Sequence, residues 1–290
     1  MHWSNHGPVF FAMEVEMKLS ELLKQGGMAL WKDRDGCTTF HSQAQRCIDM
    51  LGDPDIKDID TAMVDKFIVC LEALKSHRGK PLAAQTINHN VSVLSTLLRY
   101  AKQRDLIDKL PHFSRKRPAP HRVRWLSPDE EKKVFAAIDN ADYVIARKHR
   151  EEMKALTKIL IDTGMRRGEV LGLTKENLDG DWVRLWKTKT GRARSVPLTS
   201  EARALLATHV PFEIKKHQVH RYWAKVREDI GLEKDEQFVL HTLRHTTATR
   251  MLRKTKNIAM VQRMLGHTNI STTLRYAHID DQDLLEAVKV

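Results

Sequence analysis

The chain has 290 residues, 41% of them hydrophobic, with a formal net charge of +12 and a pI of about 9.6. That apolar share is enough for ordinary cores and excludes a disordered chain, and the length suits two domains. The charge calls for a polyanionic partner; with neither a basic amphipathic helix nor a lipidation signal, nucleic acid is favoured over an anionic membrane surface.

No apolar run approaches the roughly 18 residues that span a bilayer. The first residues lack the basic region of a signal peptide. Cys37, Cys47 and Cys70 contain no CxxC pair, and their odd number argues against a disulfide framework. They read as reduced cysteines of a cytosolic protein.

Residues 1–15 show no pattern and read as an N-terminal tail. From Lys18 the chain turns helical. A short segment, SELLKQGGMALWKD, is expected to break at Gly26-Gly27. The next places Phe40, Ala44, Cys47 or Ile48, and Leu51 at helical spacing. A third carries Met63, Phe67, Cys70 or Leu71, and Leu74 on one stripe, and Gly79 and Pro81 punctuate it. In the fourth, Ile87, Val91, Leu94, Leu98 and Ala101 share a face. Residues 16–111 thus form a bundle of about four helices whose stripes are core.

Residues 112–125 read as a boundary, because Pro111, Pro118 and Pro120 prevent a continuous helix. Arg115, Lys116, Arg117, Arg122 and Arg124 make the segment basic, either a solvated linker or one lying against a phosphate backbone.

Residues 126–290 form the second domain. Ser127, Pro128 and Glu130 spell a capping box with proline at the first helical position. A helix follows to about Asn140, then another ending near Asp162. After TGMRRGEVLGL and a turn at Asp179-Gly180, WVRLWKTKTGRARSVPL reads as two short strands around Thr190-Gly191. Thr199-Ser200 caps a helix, and the next carries Val219, Trp223, Val226 and Ile230 on one stripe. In residues 241–278, His241 and Arg244 share a helical face. Ile258, Val261, Met264 and Leu265 mark a further helix that Gly266 ends in a left-handed turn. Ser271 or Thr272 caps a last short helix carrying Tyr276. Residues 280–290 suit a tail helix, with Leu284, Leu285 and Val288 as its apolar side.

Two imidazoles, a guanidinium and a phenol in one segment suit a phosphodiester: fixed cations for the anion, imidazoles to place protons, a phenol as nucleophile. HTLR, then LGH, then Tyr276 nine positions after His267 resemble the C-terminal active-site box of the tyrosine recombinases, the phage integrase family. Thr163, Gly164, Arg166 and Glu169 resemble that family's first box, Thr-Gly-x-Arg-x-x-Glu. The motif selects Arg166 over the adjacent Arg167. In the family a lysine sits in a β-hairpin turn between the two boxes. Lys189 matches that place, with Lys187 and Arg192 as neighbouring alternatives.

The resemblance implies a mainly α, two-domain protein: a helical core-binding domain and a mixed α/β catalytic domain with a small hairpin, clamping DNA between them. It implies catalytic Arg166, Lys189, His241, Arg244 and His267, with Tyr276 as nucleophile. Tyr276 would form a 3′-phosphotyrosyl bond and release a 5′-hydroxyl that Lys189 protonates. Glu169 would support the first box, by holding His241. No metal or other cofactor is expected, since no metal-nuclease motif and no Walker-type loop is present. The implied partners are double-stranded DNA with specific sites, three further copies in a tetramer on that DNA, and accessory DNA-bending or directionality factors. The resemblance also implies a place in the bacterial cytosol and integration or excision of a phage or mobile element. The rival readings are a type IB topoisomerase and a DNA-binding regulator without catalysis.

Overall fold

The computed structural model describes residues 16–31, 37–76, 79–118, 123–141, 147–186 and 192–277. The chain divides into two compact units, Met1–Pro120 and His121–Val290. It is mostly helical with one small sheet, the fold class expected. No described helix is long and apolar enough to cross a membrane.

The first unit packs α1 (Leu19–Trp31), α2 (Cys37–Leu51), α3 (Thr61–Ala73) and α4 (Ala84–Lys102) around one core. Helix α4 buries Ile87, Val91, Leu94, Leu98 and Ala101, the stripe read from the sequence. On α3 the buried set is Val64, Phe67, Ile68 and Leu71, while Leu74 is exposed. The stripe is therefore displaced by one position from its expected starting residue. Helix α1 runs unbroken through Gly26-Gly27, contrary to expectation. A Cβ on Gly26 would lie 2.9 Å from the Tyr100 ring. Close approach of α1 to α4 requires glycine there, and that packing outweighs its poor helix propensity.

The basic segment is not free chain along its described length. Asn88 on α4 accepts from the Lys116 backbone N–H (2.9 Å) and donates to the Lys116 carbonyl (2.8 Å). Thr61 and Asp65 on α3 hold His112 and Ser114. Arg115 donates to Ser92 Oγ (2.8 Å), and Lys116 pairs with Glu72 (2.6 Å). Arg117 is exposed. Arg124 belongs to the second unit: its guanidinium donates to Glu130 (2.9 Å) and Asp235 (2.9 Å). Two carboxylates thus already match its charge. Arg122 lies outside the described residues.

In the second unit, α5 (Pro128–Asp139) starts at the expected capping box of Ser127 and Glu130. Helix α6 (Arg147–Thr163) packs against α5, α8 (Ser200–His209) and α10 (His241–Thr255), burying Met153, Leu156, Ile159 and Leu160. After the single turn of α7 (Arg167–Leu171), β1 (Leu178–Asp179), β2 (Trp182–Leu185) and β3 (Arg194–Pro197) form an antiparallel sheet in the order β1-β2-β3. The two-residue β1 was not anticipated; it is too short for an alternating pattern to register. Helix α9 (Lys216–Asp229) buries Val219, Trp223 and Val226 as expected. Helices α11 (Ile258–Leu265) and α12 (Ser271–Leu274) complete the described chain. Residues 1–15 and the tail helix expected over 280–290 lie outside it.

Candidate active site

The first box is fixed by local helix chemistry. Arg166 is the N-cap of α7, and Glu169, at the third helical position, accepts from the Arg166 backbone N–H (2.7 Å). The Arg-x-x-Glu spacing is thus half a capping box, in which the carboxylate covers an otherwise unpaired amide. Glu169 Oε1 also accepts from the Arg166 side chain (2.9 Å). The adjacent Arg167 bonds His220 (2.6 Å) instead of Glu169, and both line the same cleft as Arg166.

Glu169 does not hold His241 as expected. Its main partner is Arg194 on β3, which donates to Oε1 (2.8 Å) and Oε2 (2.7 Å) in a forked pair. The Glu169 side chain is only 8% exposed. Burial pushes its carboxyl upward, but the Arg194 guanidinium and the Arg166 donors outweigh this and hold it down, to about 2.

Arg244, on the first turns of α10, is 2% exposed. It donates to the carbonyl of Gly164 in the first box (2.6 Å) and to that of Leu265 at the end of α11 (2.6 Å). One side chain therefore locks the three motif segments together. Each Nη nitrogen carries a second hydrogen, and Nε one more, so capacity for an anion remains. Burial and the neighbouring Arg166 lower its pKa to about 10. Arg166, His241 and Arg244 line one cleft of about 330 Å³.

Gly266 caps α11 at φ 66°, the left-handed turn read from the sequence. That turn delivers His267, whose Nδ1 shares a hydrogen bond with the buried Thr273 hydroxyl (2.9 Å). Dehydration, then the charges of Arg244, Arg166 and Arg275, depress His267 to about 4. The same causes in the same order depress His241 to about 4. Both imidazoles are neutral at pH 7, in a field set by arginines.

Tyr276 follows α12 rather than lying on it, and α12 has Ile270 at its N-cap rather than Ser271 or Thr272. The Asn269 side chain takes over the capping by accepting from the Ser271 N–H (2.9 Å). Tyr276 is 1% exposed, packed with Ala248, Val261 and Leu265 in a small cluster of its own. Its hydroxyl shares a 2.7 Å hydrogen bond with Nδ1 of His245. Burial raises its pKa, against the pull of Arg244 and Arg275.

Arg166, Glu169, His241, Arg244, His267 and Tyr276 therefore gather in one unit, tied by backbone carbonyls, one carboxylate and a shared positive field. Lys189 and its alternative Lys187 lie outside the described residues. Arg192 borders His267 in a neighbouring cleft of about 300 Å³. Sequence reading missed Arg194 and His245. His245 follows Arg244 and shares a helical face with His241, a signal that could have found it. Arg194 stands two positions before the buried Val196, so strand alternation turns it inward. Among the described residues, no three His, Cys, Asp or Glu side chains gather in a way that could hold a metal ion.

Comparison with known proteins agrees with this geometry. A profile described as the phage integrase family matches residues 124–283, and one described as a phage integrase SAM-like domain matches residues 43–116. A tyrosine recombinase of Thermosipho africanus is 29% identical over 252 residues, covering 81% of this chain and 85% of its own. The integrase of Escherichia phage 186 is 26% identical over 250 residues, covering 83% and 71%. In fold, the chain is similar to the Tn1549 transposon integrase in complex with a circular intermediate DNA (TM-score 0.70, 19% identity, 94% of this chain and 100% of that one). It is similar also to a lambda integrase dimer bound to a core site (TM-score 0.69, 18% identity, 92% and 96%). With more than half its length matched by that profile and its motif residues gathered in one site, the chain belongs to the phage integrase family, the tyrosine recombinases that break and rejoin DNA.

Proposed function

We propose that this chain is a site-specific recombinase that cuts and rejoins duplex DNA through a covalent bond between Tyr276 and a DNA 3′-phosphate. The observation that carries the reading is the convergence of Arg166, Arg244, His241 and His267 beside the buried Tyr276. Phosphoryl transfer needs charge stabilisation on the non-bridging oxygens, with entering and leaving oxygens in line. Arg166 and Arg244 supply forked donors for those oxygens. Neutral His241 and His267 add hydrogen bonds. The Tyr276 hydroxyl gives its proton to a neighbouring base, His245 being its bonded partner, and its oxygen attacks phosphorus. The bond to the 5′-oxygen breaks, and Lys189 protonates that oxygen. A 5′-hydroxyl from the partner strand reverses the steps and rejoins the DNA. The phosphodiester energy stays in the phosphotyrosyl bond, so the reaction runs without nucleotide hydrolysis and without metal.

The domain limits proposed are 16–111 for DNA binding, 112–125 for the basic connection and 126–290 for catalysis. Recombination of two sites requires four cleavages, hence a tetramer on DNA, with the 280–290 segment docking on a neighbour. Named relatives include phage integrases, which favours integration or excision of a mobile element inside a bacterial cell.

The test uses nicked duplexes with a randomised core, from which the protein selects its own site by covalent capture. The expected result is a protein–DNA adduct on the 3′ side of the break, formed in excess chelator and absent in Tyr276→Phe, which still binds. Adducts of normal yield in that variant would end the reading. Relaxation of supercoiled DNA lacking the selected site would favour the topoisomerase instead.

A further inference from the structure

Arg194 lies in none of the motifs that carry the chemistry, yet two of them meet on it. Its guanidinium grips both oxygens of Glu169, at 2.8 and 2.7 Å. Glu169 in turn holds the Arg166 side chain at 2.9 Å and its backbone N–H at 2.7 Å. The Arg194 side chain is only 10% exposed, and its Nε is buried without a hydrogen-bond partner. That nitrogen faces the turn before His267: a Cβ placed on Gly266 would meet Arg194 Cδ at 2.6 Å and Nε at 2.9 Å. The arginine stem therefore passes directly beneath the Leu-Gly-His turn. Arg194 is also the first residue of β3, five positions after Lys189 in the sequence.

We propose that Arg194 is a positioning residue for strand cleavage, acting through Glu169 to fix Arg166 and through Gly266 to fix the turn that bears His267. The proposal rests on the reading of Arg166 as a phosphate-binding group. A carboxylate with one arginine on each side cannot pivot, because moving toward either partner stretches two short bonds to the other. Without Arg194, Glu169 would neutralise Arg166 alone and draw it away from the phosphate. With Arg194, the cluster of two guanidiniums and one carboxylate keeps a net positive charge for the DNA. A displacement of about 1 Å in such a clamp is enough to cost about a hundredfold in rate.

The experiment measures single-turnover adduct formation by the full-length chain on the captured duplex, with oxygen or sulfur at the bridging 5′ position. Sulfur leaves without a proton, so it rescues loss of the acid but not loss of the phosphate clamp. Arg194→Gln is expected to bind DNA normally, cleave about a hundredfold more slowly, and stay slow with sulfur. Arg194→Lys, which keeps one ion pair to Glu169, is expected to recover most of that loss. Glu169→Gln should share the defect, and the double variant should be no slower than the worse single one, since both act through one contact. Wild-type cleavage by Arg194→Gln, additive losses in the double variant, or rescue by sulfur would each overturn the proposal. If Arg194→Gln does not fold, Arg194→Lys and the rate of Glu169→Gln still decide it. Normal cleavage by Arg166→Ala would instead remove the reading on which it rests, a result separable from all of these.

Discussion

The hydroxyl of Tyr276 and Nδ1 of His245 share a hydrogen bond of 2.7 Å, joining the end of the described chain to the second turn of α10. The Tyr276 ring is buried among Ala248, Val261 and Leu265. Burial makes the phenol harder to ionise. A partner able to take its proton is therefore worth most at this position. Replacing His245 with alanine should leave DNA affinity unchanged and slow adduct formation about a hundredfold, the low end of what a positioned general base is worth. A single-turnover rate equal to wild type would reduce the contact to packing.

The depressed imidazoles set the acid limb of stability. For His267 the folded value is about 4 against an ordinary 6.5. Between those values the unfolded chain binds a proton that the folded chain refuses. Stability from this group is therefore complete above pH 6.5, falls as pH drops toward 4, and is level below. Discounted for its partly solvated ring, the loss is about 1–2 kcal/mol. Glu169, held at about 2 against an ordinary 4.5, adds a second decline as pH falls from 4.5 toward 2. Urea titrations across pH should show the first decline flattened in His267→Gln and the second in Glu169→Gln. An NMR titration of the His267 ring with a midpoint near 6.5 would contradict the first.

The basic residues of the connecting segment should separate into two classes. Arg115 and Arg117 are exposed, and removing both charges should flatten the log–log salt dependence of DNA binding by about 1.8, at roughly 0.9 per phosphate contact. Arg124 is held by Glu130 and Asp235. Its change to glutamine should leave that slope alone and cost about 1–3 kcal/mol of folding stability, since it leaves two half-buried carboxylates short of a donor. Fluorescence anisotropy over a salt series and chemical denaturation read the two effects. A flattened slope for Arg124→Gln would return it to the DNA-binding set.

Two glycines with left-handed backbone should respond unequally to alanine. At Gly180, φ is 57° and no atom lies within 4 Å of a new Cβ. The cost there is conformational alone, about 1 kcal/mol. At Gly266 the same strain is joined by collision with Arg194, which cannot retreat because Glu169 pins its far end. Alanine at Gly266 should cost about 2–4 kcal/mol and slow cleavage as well. Equal melting temperatures for the two variants would mean that the Arg194 stem yields.

The sequence by itself determined the buried stripes of α4 and α9, the capping box at Ser127 and Glu130, the turn at Gly266 and the order of the chemistry-bearing residues. Each of these depends on residues within a few positions of one another, where helical periodicity and backbone preference act directly. Tertiary structure alone decided the rest. Gly26 and Gly27 read as a break until Tyr100 is packed against the first and His41 against the second. Arg244 reads as a cation for the phosphate, yet it also ties Gly164 to Leu265, because only folding brings those carbonyls within its reach. Glu169 was assigned to His241 and instead took Arg194, the forked donor that β3 carries to it. A carboxylate chooses its partner by distance and burial, and spacing along the chain sets neither when the partners sit on different elements.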